Sequence, residues 1–180
     1  MRRQLERLPW HSALWVTIAE FKENWQLSCG YDEQGGLLYL TTPRTEPSPL
    51  GINIDNGILL DLDSSRELIF VECIMRFCLW PDASLTLPRG HKALGRLVFG
   101  VPRRANTVFT EIEFVKLVAD RVKCIGLIQW GVPDFTTIIK VGPECYAYLF
   151  ESLLVGFIFR LAPQLRPART LQQKRMRGRA

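Results

Sequence analysis

The sequence predicts an α+β domain: an antiparallel β-meander with a C-terminal helix packed on the sheet, followed by a basic tail. Three observations lead there. Apolar and polar residues alternate with period two through much of the first half, as they do in strands with one covered face. Asn56–Gly57 sits between two alternating apolar runs, a strong hairpin signal. Residues 142–161, "GPECYAYLFESLLVGFIFRL", are apolar almost throughout, and bases without acids follow them. The expected boundaries are one domain over 1–162 and a basic tail over 163–180.

The elements follow in order. "ALWVTIAEF" (13–21) is apolar on both sides and reads as a strand covered on two faces, joined by a Lys22–Asn24 corner to a half-buried strand over 24–31. Asp32 and the loop Glu33–Gly36 then turn the chain into "LLYLT". Gly35 and Gly36 supply the positive φ that a tight hairpin needs, and Asp32 suits the turn. Three prolines make 43–49 an exposed loop. After the Asn56–Gly57 hairpin, Asp63–Arg66 forms a corner. "ELIFVECIM" (67–75) reads as a strand in the middle of the sheet. Residues 76–106 are divided by Pro81, Pro88 and Pro102, with a strand over 94–101. Residues 107–115 alternate, while 111–122 fit a helix equally well. "CIGLIQW" (124–130) and "DFTTIIKV" (134–141) read as a strand pair around Gly131–Pro133. In the 142–161 helix, Pro143 and Glu144 suit the first turn. A membrane span is disfavoured there, because the run from Cys145 to Phe159 is short and Glu151 in its middle would cost about 2.5–3.5 kcal/mol.

Tyr31, Asp32 and Tyr39, then Asp61, Asp63 and Glu72, fall in a pattern of Tyr-Asp, an apolar strand with Tyr, an acidic turn and an apolar-Glu-apolar strand end. Residues 31–74 thereby resemble a small prokaryotic domain of unknown function, number 2283. Gly36 and Arg66 depart from its pattern. The resemblance implies a β-meander and a prokaryotic source, and no activity.

The apolar fraction of 47% and charged fraction of 23% are those of a folded chain. The net charge of +5 is unevenly placed. Residues 160–180 carry seven of the 23 bases and none of the 18 acids, which leaves 16 bases against 18 acids elsewhere. The body therefore offers no strong field to a polyanion. Five widely spaced cysteines, an odd number, and the absence of an apolar leader run imply free thiols in a reducing cytoplasm.

No spacing suggests a metal or a cofactor. There is no Cys-x-x-Cys, and His11 and His91 are the two histidines. Arg89, His91 and Lys92 in "RGHKALG" form a possible anion contact, without the glycine spacing of a phosphate loop. Asp61 and Asp63 fall on one face of a strand. With His91 they are the candidates for a small hydrolase, although aspartates at a turn also bond backbone amides. Glu72 in an apolar strand calls for a partner, with Arg76 and Arg121 as candidates. The tail cations Arg166, Arg169, Lys174, Arg175, Arg177 and Arg179 would attract phosphate, but no aromatic accompanies them to stack on bases.

The leading expectation is a non-catalytic, cytoplasmic prokaryotic protein that binds a protein partner, by analogy in an immunity, antitoxin or phage-related role. The first alternative is a nucleic-acid-binding accessory protein acting through the tail, and the second is the small hydrolase.

Overall fold

Strands form nearly everywhere the sequence is apolar, including where a helix was expected. The computed structural model describes residues 5–22, 26–32, 37–43, 48–55, 57–90, 92–101, 107–112 and 114–161. Among the described residues the protein is 56% strand and 4% helical. Among the described residues the one α-helix, α1, is the four-residue turn Trp10–Ala13. The α+β expectation is therefore wrong.

Seven strands build the first sheet: β1 (Leu5–Arg7), β3 (Ser28–Asp32), β4 (Leu37–Thr41), β5 (Leu50–Ile54), β6 (Ile58–Leu62), β7 (Leu68–Cys73) and β9 (Thr107–Thr110). Their order is β1-β9-β5-β6-β7-β4-β3. Neighbours pair antiparallel except around β9, which runs parallel to both β1 and β5. The second sheet holds β10 (Val115–Asp120), β11 (Ile125–Trp130), β12 (Thr137–Gly142), β13 (Cys145–Phe150) and β14 (Leu153–Arg160), in the order β10-β11-β14-β13-β12. A separate pair joins β2 (Val16–Ala19) to β8 (Arg96–Phe99).

The stretch read as a C-terminal helix is the β13–β14 hairpin, with Tyr146 opposite Ile158 and Ala147 opposite Phe157. Glu151, which seemed to interrupt a helix, lies in the connecting turn at φ +55°. The run is apolar all round because both faces of β14 are covered. Leu154, Phe157 and Phe159 enter the core cluster shared with the first sheet, and Val155 and Ile158 enter a second cluster on the sheet's other side. Apolar length alone cannot separate such a strand pair from a buried helix, whereas the aromatic and β-branched content favours strands.

Other pairings also differ from the expected meander. β2 pairs with β8 and not with β3. β11 lies between β10 and β14, and β12 pairs with β13, so 124–130 and 134–141 are not partners. Residues 115–120, open to a helical reading, are strand β10. The expected turns at Glu33–Gly36 and Asn56, most of the Lys22–Asn24 corner and most of the proline loop fall outside the described residues, while the strands flanking both hairpins pair antiparallel.

Alternation builds the core. Val108, Ile52, Leu60, Val71, Leu40 and Cys29 stand side by side across six strands of the first sheet, and all are buried. They share one cluster with Ile128, Trp130, Ala147, Phe157 and Phe159 of the second sheet. The irregular segment after β7 has a purpose. Its start bonds to β10, where Ala119 N–H donates to Pro81 O at 3.0 Å and Ala83 N–H to Ala119 O at 2.9 Å. Its end bonds to β12, where Lys140 N–H donates to Ala93 O at 2.9 Å. Between these points Leu85 and Leu87 pack on the second cluster. The segment is a strap across the outer face of the five-stranded sheet, and extended backbone tolerates Pro81 and Pro88 there.

Gly142, at the end of β12, is pressed against another chain segment. A Cβ there would fall 1.9 Å from the carbonyl oxygen of Leu27, whose N–H bonds Val141 O. Gly142→Ala is expected to destabilise by about 1–3 kcal/mol or more, because backbone must move. An unchanged urea midpoint would contradict that close approach.

Candidate interaction surfaces

The face of the seven-stranded sheet opposite the core carries two rows of side chains. One runs Phe109, Asn53, Leu59, Glu72, Tyr39 and Gly30; the other runs Thr107, Gly51, Asp61, Phe70, Thr41 and Ser28. Most are partly exposed. The Tyr39 ring occupies the space a Cβ on Gly30 would need and stacks near Phe70, with centroids 6.2 Å apart and planes at 16°. A glycine thus lets the neighbouring strand's aromatic lie flat. The face combines aromatic and aliphatic surface with Asp61 and Glu72.

The expected catalytic carboxylates are divided by this geometry. β6 ends at Leu62, and Asp63 lies beyond it in the corner before β7, so the strand period that placed Asp61 and Asp63 together does not extend to Asp63. Asp61 lies on the outer face, 6% exposed. Asp63 Oδ1 accepts the N–H groups of Ser65 at 2.8 Å and Glu67 at 2.9 Å, and so fixes the corner before β7. His91 lies outside the described residues. Arg89 is exposed and Lys92 partly so, both on the strap. The tail residues Arg166, Arg169, Lys174, Arg175, Arg177 and Arg179 also lie outside the described residues. Among the described residues no group of three or more His, Cys, Asp or Glu is arranged to hold a metal, and no helix is long and apolar enough to cross a membrane.

Glu72 is partly buried in the outer rows. Of its two expected partners, Arg76 is exposed, and Arg121 donates to Trp80 O at 2.6 Å and pairs with Asp82 at 3.3 Å. A buried ion pair is also formed by two other residues. Glu67 and Arg96, each 9% exposed, join side chain to side chain where β8 meets the start of β7, and Arg96 Nε also donates to Glu20 O. Nothing in the sequence pairs these two residues, 29 positions apart.

Asp120 is a third missed residue. Its Oδ1 accepts Lys123 N–H at 2.9 Å, and its Oδ2 accepts Leu85 N–H at 3.1 Å. Lys123 Nζ lies 3.0 Å from Oδ2 and donates to Leu85 O at 2.8 Å. The carboxylate thereby ties the strap to the β10–β11 turn. The Lys123 N–H and ammonium, with the Leu85 N–H, hold its pKa down to about 2 from the usual 3.8. Because the folded value is lowered, the contribution is complete above about pH 4 and is lost as pH falls towards 2. Asp120→Ala is expected to lower the melting temperature at pH 7 and to flatten its fall between pH 4 and 2. Equal acid sensitivity in the variant would contradict this.

The thiols of Cys29, Cys73 and Cys145 are buried, and that of Cys124 is exposed. Burial raises the Cys73 pKa to about 11, with a smaller push from the Glu72 charge, and also pushes the Cys29 and Cys145 thiols well above their usual value. Buried thiols of this kind are unreactive.

The exposed large apolar residues among those described lie on several segments, with Trp15 and Ile18 at β2, Leu94 on the strap and Phe135 before β12. Ile74, Met75 and Leu79 follow β7, and Val122 tips the β10–β11 turn beside them. No protein-family model matches the chain, and no curated protein matches it.

Proposed function

We propose that the chain is a non-catalytic interaction protein that docks a protein partner on the outer face of the seven-stranded sheet. The observation that carries the reading is the pair of cross-strand rows, where Tyr39, Phe70 and Leu59 form an aromatic and aliphatic centre among Asn53, Thr41, Asp61 and Glu72, with Phe109 at the end of one row. Rigid aromatics at the centre with polar groups around them suit protein recognition. The engagement of Asp63 by its own turn favours binding over hydrolysis. The resemblance of residues 31–74 supports a prokaryotic source, and an immunity, antitoxin or phage-related role is the analogy we adopt. Buried free thiols support a cytoplasmic location.

Affinity capture with nuclease treatment tests the reading, using the intact chain, Phe70→Ala and a chain ending at Leu161. A specific protein should be retained after nuclease and by the shortened chain, and its affinity should fall about tenfold or more with Phe70→Ala. Capture that depends on nucleic acid, or is indifferent to Phe70, would contradict the sheet-face reading.

A further inference from the structure

We infer that the cleft at the carboxyl ends of β1, β9 and β5 receives an arginine side chain of the partner docked on the sheet face. The source of the guanidinium rests on that sheet-face reading, whereas its recognition rests on the cleft alone. The three strands lie side by side and run parallel, with Arg7 opposite Phe109 and Ile54 opposite Thr110. Their ends therefore leave the sheet together. The middle strand fixes the chain beyond its two neighbours: Leu8 N–H donates to Phe109 O at 3.0 Å, and Asp55 N–H donates to Thr110 O at 3.2 Å. A cleft of about 410 Å³ lies at these ends, with Leu8 and Phe109 as apolar lining and Arg7, Asp55, Thr110 and Glu111 as polar lining.

The cleft accepts more than it donates. Two carboxylates, Asp55 and Glu111, accompany a single guanidinium, Arg7, which leaves an excess of negative charge. Arg7 lies 3.9 Å from Glu111, and the two side chains are 81% and 86% exposed, so this pair holds Glu111 weakly. Among the described residues no hydrogen bond or ion pair engages the Asp55 carboxylate. Thr110 is an independent sign of a ligand. It is 3% exposed, and its hydroxyl has no hydrogen-bond partner among the described residues, although buried polar groups are ordinarily paired. A guanidinium suits these groups: it neutralises the surplus acid, its several donors match the acceptors, and its plane stacks on the Phe109 ring. A lysine ammonium offers a point charge without the plane. A metal ion fits less well, since no group of three or more His, Cys, Asp or Glu is arranged to hold one among the described residues. Phe109 connects the cleft to the docking face. It ends one of the outer rows and also lines the cleft, so a partner covering the rows reaches the cleft at their end.

The probe is N-acetyl-arginine methylamide, titrated into the full chain and followed by amide chemical shifts. N-acetyl-citrulline methylamide, of the same shape without the charge, is the control. The arginine probe should shift the amides of Leu8, Asp55, Thr110 and Glu111 with a dissociation constant of about 1–10 mM, and the citrulline probe should not. Asp55 has φ +52°, which asparagine tolerates, so Asp55→Asn should fold and weaken probe binding about tenfold. Thr110→Val keeps the side chain's shape and should weaken it severalfold. In nuclease-treated affinity capture, Asp55→Asn should lower the affinity for the retained protein. Absence of shifts at the cleft, equal binding of the citrulline probe, or indifference to both substitutions would overturn the guanidinium site, whatever the capture shows. Probe binding at the cleft with capture indifferent to Asp55→Asn would overturn the assignment to a partner's side chain. Capture that depends on Asp55 and is indifferent to Phe70 would support the cleft and contradict the sheet-face reading alone.

Discussion

Trp130→Ala is expected to cost about 3–5 kcal/mol, a large share of the roughly 5–15 kcal/mol that holds a domain folded. Trp130 is fully buried on β11 and packs edge-on against Phe157 of β14, with centroids 5.9 Å apart. Its Nε1–H donates to Leu154 O at 2.7 Å. Truncation opens a cavity between the two sheets and strips a buried carbonyl of its donor. Trp130→Phe keeps most of the apolar contact and loses the hydrogen bond, so its cost should be clearly smaller, about 1–3 kcal/mol. Urea unfolding of the three proteins measures both effects. A loss below about 1 kcal/mol for the alanine variant would place Trp130 outside the core.

Removing one member of the Glu67–Arg96 pair should be nearly as damaging. Glu67→Ala leaves the Arg96 guanidinium buried without its carboxylate, an arrangement that costs about 3–5 kcal/mol. The pair's value lies in mutual neutralisation, so Glu67→Met/Arg96→Met should recover most of the loss. Stability of the double variant at or below that of Glu67→Ala would show that the pair has a role beyond neutralising its own charges. The site is sensitive because it sits at a junction. β8 bonds β2 along its length, and it reaches the first sheet through the Glu67–Val98 bridge and the Phe99 N–H bond to Arg66 O. β2 in turn touches the second sheet, where Val16 N–H donates to Ser152 O.

The parts of this architecture that were legible in the sequence are local. The strands β3 to β7 follow period-two alternation and turn residues, and Asp63 closes its corner as a turn aspartate does. The failures have a common cause: burial on both faces. Residues 145–160 lack a polar stripe because the core lies on one side of β14, and the strap and α1 supply cover on the other, through Leu85, Leu87 and Trp10. With no alternating polar residues to mark a period, strand and helix look alike except through Tyr146, Tyr148, Val155 and Ile158, which favour a strand. The non-local pairings, β2 with β8 and the parallel β9 with β1 and β5, leave no mark in any short window. The same holds for Glu67 with Arg96 and for the strap's attachment to Asp120. The sheet-face surface was half visible, since Tyr39, Asp61 and Glu72 stood out singly. Only the register shows that they share a face.

The two-sheet sandwich depends on β13 and β14 being strands, and nuclear Overhauser contacts across residues 145–160 test that most directly. The account predicts cross-strand contacts between Tyr146 and Ile158 and between Ala147 and Phe157, as their register requires. A continuous series of contacts between residues three and four apart from 145 to 160, with no cross-strand contacts, would contradict it.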